Sequence, residues 1–134
     1  MTLQNLNLWA ILAAALSAFL VGGLWYSPIL FGAAWKKANR FAADEPPAAG
    51  GKIFAATFVL SLVMAVNLAL ILNDPKTTLA WGAAAGFLAG FGWVAMGIAV
   101  VSLFERRPWS YILVNGGYLT VALVLMGAIL GGWR

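Results

Sequence analysis

A chain of 134 residues that is 63% hydrophobic and 9% charged is excluded from the ordinary soluble domains, which carry about a quarter charged residues to cover their surface. Lipid is its expected solvent, and at about 20 apolar residues per helical crossing, four crossings with short loops nearly exhaust the length and leave no room for a soluble catalytic domain. The absence of cysteine and histidine excludes disulfides, thiolate nucleophiles, imidazole metal sites and histidine proton relays. No metal or cofactor is expected. The net charge of +4 lies in loops between apolar runs, so its expected partner is anionic lipid and not nucleic acid.

Residues 1–7 carry no basic side chain, so the first apolar run is read as a retained helix and not as a signal peptide. It covers about residues 8–27, with Asn5 or Asn7 as cap and Ser27-Pro28 as its end. The stretch Phe31-Gly32-Ala33-Ala34-Trp35-Lys36-Lys37-Ala38-Asn39-Arg40-Phe41 pairs aromatic with basic residues as interfacial segments do. It is either a helix lying on the membrane or a loop, with Trp35, Lys36, Lys37 and Arg40 as lipid-headgroup contacts. Asp44-Glu45-Pro46-Pro47 and Gly50-Gly51 then read as a flexible elbow. A second run, about 53–72, carries no charge and closes on Asn73-Asp74-Pro75. The third, about 79–103, ends at Glu105-Arg106-Arg107-Pro108, which is expected to be a solvated loop, and the fourth covers about 109–130. The expected fold is one all-α domain, an up-down integral membrane bundle of four transmembrane helices with an interfacial segment between helices one and two. Short turns imply that helices two, three and four are antiparallel neighbours.

Lys36, Lys37, Arg40, Lys52, Arg106 and Arg107 fall on one side of this topology, and Lys76 and Arg134 on the other. The positive-inside tendency therefore places both termini outside the cytoplasm. Tryptophans favour the headgroup level, and the topology puts Trp9, Trp81 and Trp133 at the outer boundary and Trp25, Trp35 and Trp109 at the inner one. Trp93 alone falls near the midplane, where it is expected to fill a packing gap.

Gly82, Gly86 and Gly90 recur every four residues on helix three; Ala14, Ala18 and Gly22 on helix one and Gly127 and Gly131 on helix four offer matching stripes. Small residues at this spacing let two backbones approach closely. They imply either a homodimer seam or packing within the monomer, the second being favoured. Counted at about 1.5 Å per residue, Tyr26, Ser27, Ser102 and Asn115 share the inner layer, with Tyr118 about one turn deeper. They form either a ligand pocket flanked by Gly22, Gly23, Gly116 and Gly117, or interhelical hydrogen-bonded glue. No Asp, Glu, Lys or Arg lies within the four runs, so no coupling residue for a proton-driven pump is visible, and no nucleophile with a base, nor any metal set, can be assembled for an enzyme.

Leu24-Trp25-Tyr26-Ser27-Pro28 with Leu30-Phe31-Gly32 and Ala34-Trp35 resembles the signature after the first helix of the bacterial membrane family known as domain of unknown function 1761. Leu103-Phe104-Glu105-Arg106-Arg107-Pro108, Asn115-Gly116-Gly117-Tyr118 and Leu125-Met126-Gly127-Ala128-Ile129-Leu130 are similar to its closing segment. The resemblance implies a small four-helix protein of the bacterial inner membrane and supplies no catalytic residue. The expected role is non-enzymatic, acting by helix association as a homo-oligomer or as an accessory subunit of a larger membrane complex. The alternative is a carrier or binder of a small neutral or amphiphilic ligand in the inner polar layer.

Overall fold

The computed structural model describes residues 5–42 and 50–134; the elbow expected at Asp44, Glu45, Pro46 and Pro47 lies outside them. The elements in order are α1 (Leu8–Trp25), α2 (Gly32–Ala38), α3 (Gly51–Ile71), α4 (Leu79–Ala89), a π-helical turn (Gly90–Ala95), α5 (Met96–Phe104) and α6 (Trp109–Gly132). The segment from α4 through the π turn to α5 runs on as one stretch, Leu79–Phe104, so four helices are long and apolar enough to cross a membrane. Local chemistry sets their ends. Asn7, not Asn5, caps α1 by accepting the Ala10 N–H at 3.1 Å, and Thr78 does the same for α4 with Trp81. Between α3 and α4, Asp74 accepts from the Lys76 N–H and the Thr77 hydroxyl donates to the Leu72 carbonyl, which ties the turn down.

Helix α6 is the hub. The α4 to α5 stretch packs along one side of it and α1 along the other, while α3 leans chiefly on α1. The expectation that helices two, three and four are antiparallel neighbours holds for three and four and is corrected for two and three, because α3 and α4, although joined by a short turn, hardly touch. The physical reason is backbone proximity. The glycines of α4 fit α6 far more closely than the larger side chains of α3 would allow, and α3 finds its own small-residue partner in the alanines of α1. The core that results is built from Ala10, Ala14, Ala15 and Ala18 of α1, Ala65 and Ala69 of α3, and Ala122, Leu123 and Met126 of α6. Small residues dominate it because lipid offers no hydrophobic drive between helices and close approach must supply the dispersion contacts.

The α4–α6 seam shows this most directly. A β-carbon added at Gly82 would overlap the Gly127 carbonyl, one at Gly86 the Leu123 carbonyl, and one at Gly131 the Thr78 carbonyl. At Gly90 it would lie 2.8 Å from the Thr120 Cα. The glycine stripes of helices three and four thus face each other within one chain. Ala14 and Ala18 are likewise buried inside the bundle, and Gly22 lies under the Tyr118 ring.

The π turn changes the register of this seam. Buried positions run Gly82, Gly86, Gly90, then Ala95 and Ser102. The step from Gly90 to Ala95 is one residue longer than a helical repeat, as a wider turn requires, and it keeps the small-residue edge against α6 to the end of the span. Trp93 corrects an expectation here: it fills no gap but is 81% exposed, on the outer, lipid-side surface of the stretch. Phe87 and Phe91 stack on one another at 5.4 Å, both exposed.

Gly86→Leu is expected to cost the folded monomer itself about 1–3 kcal/mol or more through backbone overlap. Gly97→Leu, where an added β-carbon meets nothing within 4 Å, is expected to be tolerated. Thermal unfolding of the two variants in the same detergent checks this, and equal melting temperatures would contradict the seam.

Candidate functional site

The end of the bundle that carries α2 holds the aromatic, polar and basic residues singled out in the sequence. The chain leaves α1 through a tight turn in which the Phe31 N–H donates to the Trp25 carbonyl and the Gly32 N–H to the Ser27 carbonyl, both at 2.9 Å. Only glycine fits at position 32, since a β-carbon there would stand 2.7 Å from the Tyr26 carbonyl oxygen. After that turn α2 packs against α6, and residues 32–38 are a short helix and not a loop.

Three groups then fasten α1 to α6. The Tyr26 hydroxyl donates to Asn115 Oδ1 at 2.6 Å, the Trp25 indole N–H to the Val114 carbonyl at 2.8 Å, and the Tyr118 hydroxyl to the Ala18 carbonyl at 3.0 Å. Tyr26 and Tyr118 also meet edge to face at 5.4 Å. The other membrane-embedded hydroxyls and amides behave differently. Ser17, Thr57, Ser61, Asn67 and Thr120 each donate to a carbonyl three or four residues back on their own helix, which satisfies them locally.

Of the five polar residues expected to share a pocket, the structure thus joins Tyr26, Asn115 and Tyr118. Ser27 turns its hydroxyl back to the Leu24 carbonyl. Ser102 is buried, with its carbonyl taken by the Arg107 N–H at 2.9 Å. The flanking glycines are largely covered by their neighbours, although Gly116 and Gly117 also border an apolar groove of about 250 Å³ with Trp25, Met96 and Thr120. Gly22 receives the Tyr118 ring, Gly117 the Trp25 ring and Gly116 the Ala95 methyl, and only Gly23 is open. The inner polar layer thus clasps α1 to α6, with the Tyr118 and Trp25 rings set against Gly22 and Gly117.

The open space lies on the far side of Tyr26. A cleft of about 470 Å³ is lined by Tyr26, Pro28, Gly32, Ala33, Trp35, Lys36, Lys37 and Phe41. Its rings form a chain, Trp35 meeting Tyr26 at 5.7 Å and Phe41 at 5.3 Å, both edge to face, while the exposed Lys37 supplies an ammonium at the rim. Three of the four residues expected to touch headgroups, Trp35, Lys36 and Lys37, line this cleft. The fourth, Arg40, lines a separate one with Arg106 and Arg107. Residue patterns did not single out Pro28, Gly32 and Phe41 as cleft walls; the aromatic and basic alternation of residues 31–41 was the available signal. At the opposite end, Asn5, Asn7, Asn73, Trp133 and Arg134 border a third cavity of about 320 Å³, in which Arg134 donates to the Asp74 and Leu130 carbonyls.

Fold and site together describe a small four-helix membrane protein with an aromatic, basic shelf at one end. The family model "Protein of unknown function (DUF1761)" matches residues 9–131, and the chain belongs to that family. No curated protein and no solved structure matches it.

If Tyr26 and Asn115 clasp the two helices, Tyr26→Phe and Asn115→Leu are expected to be non-additive, with a coupling on the order of 0.6 kcal/mol, the usual strength of such a bond in a bilayer. A double-mutant cycle on unfolding free energy measures it. A coupling of zero would remove the clasp.

Proposed function

We propose that this is a non-enzymatic protein of the bacterial inner membrane that binds an amphiphile at the cytoplasmic surface, in the cleft between α2 and the end of α1. The observation that carries the reading is the cleft itself, whose wall of Tyr26, Trp35 and Phe41 suits an acyl or other apolar body while Lys37 at its rim suits an anionic headgroup. Its position supports the same reading. Trp25 packs on Phe31 at 4.6 Å, and Trp109 lies exposed at the start of α6, so the same end of the bundle carries further aromatic side chains of the kind that settle at the headgroup level. Six of the eight basic residues fall on the α2 side of the topology, which supports placing that side in the cytoplasm.

Action by helix association draws less support. The stripes that suggested an external seam are used inside the chain, α4 against α6 and α1 against α6. An oligomer or a larger complex would need another surface.

The test is photolabelling in phosphatidylcholine bilayers with a photoactivatable single-chain anionic amphiphile, read by peptide mass spectrometry. Label is expected to concentrate on residues 26–41. Lys37→Gln is expected to lower it roughly fivefold, the equivalent of about 1 kcal/mol for one ammonium near the membrane surface. Label spread evenly over the exposed apolar face of α3 would overturn the reading.

A further inference from the structure

Two arginines stand where helices commonly end on glycine. Helix α2 closes with the Arg40 N–H on the Lys37 carbonyl (3.1 Å) and the Phe41 N–H on the Lys36 carbonyl (2.8 Å). Helix α5 closes in the same way, the Arg106 N–H on the Leu103 carbonyl (3.3 Å) and the Arg107 N–H on the Ser102 carbonyl (2.9 Å). This pairing is the Schellman motif, whose residue just past the helix takes a left-handed backbone and is usually glycine or asparagine. Here the two positions are Arg40, at φ 59°, and Arg106, at φ 60°. A side chain with a β-carbon is disfavoured in that conformation. Neither position gains a visible structural return, since among the described residues neither guanidinium meets a carboxylate and both side chains are exposed.

The two strained positions converge. Arg40 and Arg106 line one cleft of about 590 Å³, together with Arg107, Glu105, Ala38 and Pro108, and it shares no lining residue with the cleft of Tyr26 and Trp35. Arg107 is held in place by Glu105 at 3.5 Å and by the Tyr111 ring beneath it at 5.1 Å. Among the described residues, three guanidiniums against one carboxylate leave two positive charges at the opening. Guanidiniums in such number match phosphate oxygens better than lone ammonium groups do, because each presents a planar fork of donors. A phosphodiester would satisfy one of those charges, whereas a phosphomonoester carries about −1.5 to −2 near neutral pH and would satisfy both.

We infer that the cleft between the ends of α2 and α5 is a binding site for a phosphomonoester, with Arg40 and Arg106 as its principal contacts and Arg107 as a third. Its left-handed arginines place two guanidiniums at the ligand at the expense of backbone ease. The ester group can be borne by a lipid, with the exposed Phe104 and Trp109 flanking the site at membrane level, or by a soluble molecule reaching it from the aqueous side.

The experiment places the full chain in phosphatidylcholine nanodiscs containing equal amounts of phosphatidate, a monoester, and phosphatidylglycerol, a diester, and reads retained lipid by native mass spectrometry. Phosphatidate is expected to be retained about tenfold over phosphatidylglycerol. The preference is expected to vanish in the variant carrying Arg40→Gly and Arg106→Gly, which relieves both backbone positions and so melts no lower than the parent chain. The corresponding pair Arg40→Asn and Arg106→Asn, also tolerant of left-handed backbone, gives the same loss. Lys76→Gln removes a charge at the other end of the bundle and keeps the preference. Displacement of phosphatidate by glycerol 3-phosphate assigns the site to a soluble ester, and failure to displace assigns it to the lipid. Equal retention of the two lipids, or a preference that survives both double substitutions, overturns the inference.

Discussion

The bundle depends on the direct meeting of two backbones. Where α4 crosses α6, Gly82, Gly86 and Gly90 face Gly127, Gly131 and the carbonyl of Leu123 with no side chain between, and in a solvent as apolar as the core itself such closeness is what distinguishes one helix partner from another. The remaining arrangement follows. With one side of α6 taken up by α4, α1 occupies another through Ala14, Ala18 and the Tyr118 contact, and α3 is left to pack on α1. The π turn at Gly90–Ala95 belongs to the same economy of space, because it carries the small-residue edge of the third span past its middle without turning it away from α6.

At the α2 end the same absence of bulk serves a different purpose. Gly22 and Gly117 admit the rings of Tyr118 and Trp25, and the hydrogen bonds of Tyr26, Trp25 and Tyr118 then cross from α1 to α6. A clasp of this kind holds the turn at Ser27–Gly32 rigid from below, so α2 lies on a firm base. Its two flanks can therefore present defined surfaces, aromatic and lysine-edged on one and arginine-lined on the other.

The four crossings were legible because each run is apolar for longer than any soluble core helix needs, and the turns at Asn73-Asp74-Pro75 and Arg107-Pro108 are unambiguous breaks. The interfacial character of residues 31–41 was legible from Trp35, Lys36, Lys37 and Arg40. What the residues did not reveal is pairing. Nothing in α3 announces that it avoids α4, since apolar residues are spread nearly uniformly around α1, α3, α4 and α6 and the choice of partner lies in which glycine opposes which carbonyl. Depth counting brought Tyr26, Asn115 and Tyr118 together correctly, yet it could not tell a void from a filled space, because a glycine leaves room for a ring as readily as for a ligand. Nor could it foresee the left-handed backbone of Arg40 and Arg106, which is a property of how a helix ends and not of the residue types present.

The place of α6 as hub carries a consequence for how the protein is made. Ribosomes deliver α1, α3 and the α4 to α5 span first, so three crossings enter the bilayer before the helix that organises them exists. Each must be apolar enough to insert unaided, and their mean hydropathies of 2.0, 2.3 and 2.1 meet that demand. The bundle can close only once α6 has followed them, because most of its helix contacts run through α6. A nascent chain stalled before residue 109 would hold its spans in the membrane without a bundle, its α4 glycines open to any other small-residue helix nearby. Until α6 emerges, those glycines must therefore be kept from other partners in the membrane.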